Sequence, residues 1–399
     1  MAVGVRVWRL AEENGQPVPP KAGATSKNPA RVKTYNRIKL SLSLFSTVLS
    51  FLFTLVVVAT GFSRTIASLA SSFASTDYVV FLVFAAILVL MEIILSFPLK
   101  FYSGFHLEHK YDLSNQTFSQ WLWERTKGLL VGIPFILPLL LIFFYCLRRF
   151  GDQWWLPVGV VVFLFTTLLA RLAPKVIFPL FYKFKPLEKP DLRDRVMRLC
   201  AEARFKVEGV FSFNMSKNTK KANAGFTGIG KSKRVILGDT LLEKFSDEEI
   251  EAVLAHELGH YRYGHIWKGI LVGTVSAFLG LFITSRLYTA SLPLFGFDRV
   301  NDLAALPLLG LWLGLFGLVI SPINNLISRK HEYEADRYAL NKSENPAAFV
   351  DALKKLAEMN LADTAPNPVV EFLFYSHPSI ERRIRSAQGE LKEYAAVHS

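Results

Sequence analysis

"SDEEIEAVLAHELGHYRYGH", residues 246–265, runs straight into an apolar stretch that begins near Trp267. Ser246 followed three residues later by Glu249 has the spacing of a capping box, so a helix starts there. Ile250, Val253, Leu254 and Leu258 recur at helical spacing and give that helix a buried face. His256 and His260, four apart, then share one side, where two imidazole nitrogens reach a single zinc ion. Glu257, next to the first histidine, projects toward the open coordination position as a general base. A metal held this way lowers the pKa of a water molecule to about 7 and polarises a scissile carbonyl. Taken alone, the stretch also fits a helix with two surface histidines.

The apolar stretch after the motif is one of six, at about 40–62, 78–99, 129–147, 154–180, 267–289 and 304–327. Each reaches or approaches the roughly 18–20 residues that cross a bilayer. Hydrophobic residues make up 51% of the 399, 33 of them Phe, more than a soluble chain of this length carries. The expected class is a mainly α, polytopic helical membrane protein of about six spans.

Net charge is +13. The basic residues flank apolar spans, which fits a positive-inside bias better than nucleic-acid binding, and no nucleic-acid module is recognisable. Eight Lys/Arg precede the first span, four follow the second and eighteen lie in 171–266, whereas the turns 63–77 and 290–303 have one each. This alternation places the N-terminus, the C-terminus and residues 181–266 on the cytosolic side. Arg148 and Arg149 disagree, since they fall in a turn expected outside. Two cysteines are too few for a disulfide framework, and no cleavable signal peptide is evident ahead of Leu40.

Three regions are expected: a flexible basic tail (1–37), an N-terminal membrane domain of four spans (38–180), and a polar domain (181–399) interrupted by the spans at about 267–289 and 304–327. Within the last, helices are expected near 190–204 and 346–360, and "SKRVILGDTLL" (232–242) reads as a strand and then a turn.

A zinc ion on two histidines needs a third protein ligand. His265 is five residues past His260, where metzincins place their third histidine six past, so His265 reads as an interfacial residue at the mouth of the fifth span. In "SRKHEYEADRYAL" (328–340), Glu332 and Asp336 are four apart on a predicted helix, with Glu334 turned to the opposite, surface side. Glu332 is able to ligate zinc, and Asp336 to accept the second N–H of a ligating histidine. A solvated charged helix is the plain alternative. His377, in "SHPSIERRI" (376–384), is a weaker ligand candidate; it could instead supply a hydrogen bond in the transition state. Glu92, inside the second span, is expected to face a cavity or a partner. Gly310, Gly314 and Gly317 suit close span packing.

"HELGH", followed downstream by "SRKHEYEAD" and then "HPSIERRI", resembles the integral-membrane zinc endopeptidases of the CAAX prenyl protease type 1 family. "FHLEHKYDLSNQT" (105–117), "PLFYKFKPLEKPDLRDRV" (179–196) and "KANAGFTGIGKSKRVILGDTLL" (221–242) resemble further parts of it. The resemblance covers nearly the whole chain from about residue 36. It implies a gluzincin-like domain with His256, His260 and Glu332 as ligands of one zinc ion per chain and Glu257 as base. It also implies that Asp336 holds a ligand histidine, and that His377 and Arg383 line the site and stabilise the oxyanion or substrate. Asn223 and Ala224 would lie on a short edge strand that pairs with substrate backbone. Two features depart from the family: its eukaryotic members have a seventh span at the N-terminus, and Gly225 stands where an aromatic residue commonly follows the Asn-Ala pair.

The leading expectation is a zinc endopeptidase at the cytosolic membrane face, cutting lipidated or membrane-associated peptides. Its partners would be a peptide or protein substrate, prenylated or not, and the lipid bilayer, with no nucleic acid. The rivals are a quality-control protease without a lipid requirement and a non-catalytic zinc-containing scaffold or transporter, against which an intact Glu257 argues.

Overall fold

The computed structural model describes residues 28–228 and 233–398. The chain is mostly helical, and six of the described helices are long and apolar enough to cross a bilayer. They are α1 (Pro29–Ala59), α3 (Asp77–Lys110), α4 (Phe118–Gln153), α5 (Trp155–Phe181), α9 (His265–Phe295) and the segment Leu303–Lys342, most of which is α10 (Leu306–Lys342). A shorter helix, α2 (Phe62–Phe73), follows α1. Spanning segments are helical because hydrocarbon offers the backbone no hydrogen-bond partner, so each must satisfy its own.

The contacts divide into two compact units. The membrane unit comprises Arg37–Phe181 and Trp267–Asn324. Its core includes Trp154, Tyr288, Phe297 and Leu308. Polar groups there are tied internally: Tyr288 Oη donates to the Val300 carbonyl at 3.0 Å and Trp312 Nε1 to Ser291 Oγ at 2.9 Å. Arg148, the charge that broke the expected alternation, pairs with Asp77 at the start of α3 and lies over the Phe144 ring. Its charge is offset locally, which explains its tolerance in that turn.

The close helix contacts are not at the glycines expected to make them. A Cβ on Gly310 or Gly317 would meet nothing within 4 Å, and one on Gly314 only Phe51 at 3.8 Å. Gly310 and Gly314 instead help line a cavity of about 930 Å³ in the membrane unit. Glu92 faces the same cavity and accepts from Ser50 Oγ at 2.6 Å. The tight approaches are at Gly159 against Phe278 and Gly280 against Phe316, at 2.6 and 2.5 Å from a built Cβ.

The polar unit comprises Tyr182–Ile266 and the chain from Asn325 on, together with the helical start up to Asn36. Residues 1–27 of the expected tail lie outside the described residues. The remainder is not a tail: α1 begins at Pro29, and Val32 and Tyr35 are buried. Asn36 Nδ2 donates to the Leu361 carbonyl at 2.8 Å, fixing this turn to the polar unit.

A four-stranded sheet has the order β1 (Phe184–Pro186), β2 (Val210–Phe213), β4 (Arg234–Gly238), β3 (Ala224–Thr227). β3 pairs antiparallel with β4, Ala224 opposite Leu237 and Gly225 opposite Ile236, and lies at the sheet edge. The helices are α6 (Pro190–Glu202), α7 (Asp239–Lys244), α8 (Asp247–Arg262), the polar end of α10, α11 (Pro346–Met359), α12 (Pro368–Phe374) and α13 (Ile380–His398). α7 replaces the turn expected after β4. The core is built from Leu192, Val196, Val235, Leu237, Ile250, Leu254, Phe349 and Leu353, among others. The alternate residues Val235 and Leu237 share one face of β4, and Ile250 and Leu254 one stripe of α8.

Candidate metal centre

The capping box forms as its spacing implies. Ser246 Oγ accepts from the Glu249 N–H at 3.3 Å, and Glu249 Oε2 accepts from the Ser246 N–H at 2.8 Å. With its start fixed and Ile250, Leu254 and Leu258 buried, α8 is held in rotation as well as in position. Gly259 lets it approach α10. A Cβ there would stand 2.8 Å from Ala335 Cα and 3.0 Å from Tyr338 Cβ. The helix carrying the histidines and the helix carrying the acids therefore cross almost backbone to backbone, at Gly259 and Ala335.

Three donors converge at this crossing. His256 Nε2 and His260 Nε2 are 3.2 Å apart. Glu332 Oε1 lies 3.3 Å from His260 Nε2, and Oε2 lies 3.5 Å from His256 Nε2. One ligand atom from each residue falls within 4.8 Å of the other two. Glu332 is 4% exposed, and its Oε2 has no hydrogen-bond partner among the described residues. A buried carboxylate oxygen is rarely left so. Two imidazoles and a carboxylate around one point, with an oxygen unsatisfied, form a donor set that suits a divalent metal ion.

The surrounding groups set how these ligands present themselves. Asp336 Oδ1 accepts from His256 Nδ1 at 2.8 Å, which leaves Nε2 for a metal. Burial pushes the His256 pKa down, but the neighbouring Asp336 and Glu332 carboxylates outweigh it and raise the pKa to about 9. Metal uptake must then displace a proton. Arg383, 7% exposed, commits Nε to Asp336 Oδ2 at 2.9 Å and Nη2 to Asp336 Oδ1 at 2.6 Å; its Nη1 is 3.5 Å from Glu332 Oε2. It was expected to line the site, and it lies against the donors Glu332 and His256 as well as Asp336. On the other flank, His260 Nδ1 is 3.0 Å from His265 Nδ1, and His265 Nε2 is 2.9 Å from Glu334 Oε2. His265 begins the fifth span, where it was expected, and is buried, and Glu334 is half-buried against it rather than out in solvent.

His377 keeps its side chain 64% exposed with Nε2 3.4 Å from Glu332 Oε1, so it overlooks the donors from the open side. The turn that presents it is clamped from below. Glu371 Oε1 accepts from the Ser379 N–H at 3.2 Å, and Arg329 Nη1 donates to the Glu371 and Tyr375 carbonyls. Glu371 and Arg329 carry no sequence signal for this role, because the contacts that clamp the turn go largely to backbone groups.

Glu257 is half-buried, and the position a Cβ would take on Gly225 lies 3.9 Å from its Oε2. The edge strand β3 therefore passes beside the expected base. Asn223 is exposed, and its carbonyl accepts from the Gly238 N–H at 2.9 Å. Ala224 is half-buried in register with Leu237. The strand's entry is anchored by Asn360, whose Oδ1 accepts from the Ala222 N–H at 3.0 Å, and by Thr240 Oγ1, which donates to the Lys221 carbonyl at 2.7 Å.

Comparison with known proteins agrees with this construction. The family described as "CAAX prenyl protease N-terminal, five membrane helices" matches residues 8–183, and "Peptidase family M48" matches residues 186–391. A Bacillus subtilis protein named "Uncharacterized metalloprotease YhfN" is 28% identical over 96% of this chain and 93% of its own length. CAAX prenyl protease 1 of Saccharomyces cerevisiae is 30% identical over 76% of this chain and 71% of that protein. The crystal structure of S. mikatae Ste24p superposes with a TM-score of 0.83 at 27% identity, covering 96% of this chain and 94% of that one. The chain belongs to peptidase family M48, as a multi-pass membrane metalloendopeptidase of the CAAX prenyl protease 1 type.

Proposed function

We propose that the protein is a zinc endopeptidase whose site lies on the cytosolic side of its membrane, and that it cuts extended peptide segments laid along β3. The observation that carries this reading is the convergence of His256, His260 and Glu332 on one point, with Glu332 Oε2 unsatisfied. One zinc ion held by these three would supply Lewis-acid activation of a water and of the scissile carbonyl. Glu257 takes the proton from the attacking water and delivers it to the leaving amine. His377 donates a hydrogen bond to the oxygen that gains charge as the carbonyl becomes tetrahedral. Asp336 fixes the His256 tautomer, and Arg383 fixes Asp336. The outer edge of β3, around Asn223 and Ala224, takes the substrate backbone as an added strand.

Lipidated, CAAX-type peptides and other membrane-associated segments are the proposed substrates, supported by the similarity to proteins named CAAX prenyl protease 1. Quality-control cleavage without a lipid requirement is the second reading. It is favoured by Gly225, which leaves the space beside Glu257 open where a side chain would restrict it. The cytosolic placement of both termini and of the site rests on the basic-residue alternation, with its exception at Arg148 offset by Asp77.

The test is cleavage of two peptides that differ only in a farnesyl group on cysteine, by detergent-solubilised protein with and without a zinc chelator. Chelator-sensitive cutting of the lipidated peptide alone supports prenyl-protein processing, and equal cutting of both moves the assignment to general membrane proteolysis. Glu257→Gln should keep full zinc and lose about 10²–10⁴-fold in turnover, whereas Glu332→Ala should lose zinc. Wild-type turnover in the Glu257 variant would remove it as the base.

A further inference from the structure

Asp336 explains how His256 is held. Among the described residues no carboxylate backs His260, and its Nδ1 meets another imidazole. We propose that His265 and Glu334 act as a relay that locks His260 in its metal-binding tautomer, as Asp336 does for His256. The inference rests on the metal assignment made above and extends it to the outer side of His260.

One arrangement of these hydrogens leaves His260 Nε2 bare for a metal ion shared with His256 and Glu332. Glu334 Oε2 accepts, so His265 Nε2, 2.9 Å away, carries the hydrogen. A neutral His265 then has a bare Nδ1, which accepts across 3.0 Å from His260 Nδ1–H. His260 Nε2 is left with its lone pair directed at His256 Nε2 and Glu332. Reversing the His265 hydrogen would set a lone pair against the Glu334 carboxylate, and reversing the His260 hydrogen would set two Nδ1 lone pairs against each other across 3.0 Å. The carboxylate of Glu334 thereby determines, through His265, which nitrogen of His260 is free for a metal.

The fold is shaped to allow this. In a continuous helix His265 would lie about 140° around the axis from His260 and could not reach it. The chain instead leaves α8 at Tyr263, turns at Gly264 with φ +66°, and starts α9 at His265. A left-handed residue at that point is cheap only for glycine. The His265 ring is 6% exposed and stacks on His331 at 4.1 Å between centroids, 12° from parallel. Its orientation is therefore set by packing as well as by hydrogen bonds. Glu334, two residues on from Glu332, meets His265 on the other flank of α10, so opposite flanks of one helix supply a ligand and a ligand's support.

The test measures zinc release from the full-length protein in detergent to a chromogenic chelator, together with the visible spectrum of the cobalt-substituted form. His265→Phe keeps the ring and removes the acceptor; Glu334→Gln keeps the size and removes the charge. We expect His265→Phe to weaken zinc binding about 10–100-fold and to alter the cobalt spectrum, with Glu334→Gln weaker in the same direction. Added to His265→Phe, Glu334→Gln should have no further effect on zinc release or on the cobalt spectrum, the readout that a merely structural contribution would not move. Wild-type release rates in both single variants, or additive effects in the double, would overturn the relay. Wild-type protein that takes up no zinc would overturn the metal assignment and the relay together. Wild-type protein that binds zinc but cuts no peptide would remove the proteolytic reading alone, while the release rates still decide the relay.

Discussion

Arg383 and Asp336 meet as a two-point fork, Nε to Oδ2 at 2.9 Å and Nη2 to Oδ1 at 2.6 Å, with both residues buried. Charges taken out of water need such geometry to offset their desolvation, and here one member also supports His256. Arg383→Met should leave Asp336 buried with only His256 to offset its charge. The expected cost is about 3–5 kcal/mol of stability, with faster zinc loss, read from urea unfolding and chelator release. Arg383→Lys should recover little, since an ammonium cannot make the planar fork. Full stability and zinc retention in the methionine variant would show that the pair is dispensable.

Gly259 sets the distance between the helices that carry the donors. A methyl group there would press on Ala335 Cα at 2.8 Å, which is backbone and cannot swing aside. Gly259→Ala should force α8 and α10 apart, costing about 1–3 kcal/mol, and should lower zinc content even though no ligand is altered. A variant with wild-type unfolding midpoint and stoichiometric zinc would contradict this.

Much of this was legible in the residues because its signals are local or periodic. The cap at Ser246, the four-residue spacing of His256 and His260, and that of Glu332 and Asp336 depend only on helix geometry. Six spans follow from apolar length. What the residues did not convey depends on where chains cross. Glu334 looked exposed because periodicity within α10 cannot show that His265, beyond the bend at Gly264, packs against it. The structural roles of Gly159 and Gly280 depend on Phe278 and Phe316, more than 30 residues away. The start of α1 read as tail because its basic residues mask the buried pair Val32 and Tyr35.

Glu251 gives the stability a separate pH dependence away from the donors. Burial raises its carboxyl pKa above the ordinary value, against the opposing pull of the Glu344 amide. A raised acid pKa means that the folded chain holds the proton more tightly than the unfolded one. Its contribution to stability is therefore most favourable below the unfolded pKa of about 4.3 and declines as pH rises through the folded value. Glu251→Gln should be at least as stable as wild type at pH 7, with the gap closing toward pH 4. Melting temperatures at the two pH values check it; a variant less stable at pH 7 would show that the ion pair with Arg195 dominates.

Gly225 offers a test of what β3 does. Its φ is not positive, and a Cβ there meets only Glu257 Oε2, at an ordinary 3.9 Å. A side chain should therefore be tolerated, and replacing glycine within a strand removes an entropic cost. If substrate lies along the β3 edge, Gly225→Leu fills the space next to the base. Stability and zinc content should hold or rise slightly. Peptides with a large residue beside the scissile bond should lose about 10–200-fold in kcat/KM relative to those with a small one. The comparison needs only two peptides that differ at that residue. An unchanged ratio between them would mean that substrate does not approach Glu257 along β3, and the edge-strand assignment of Asn223 and Ala224 would go with it.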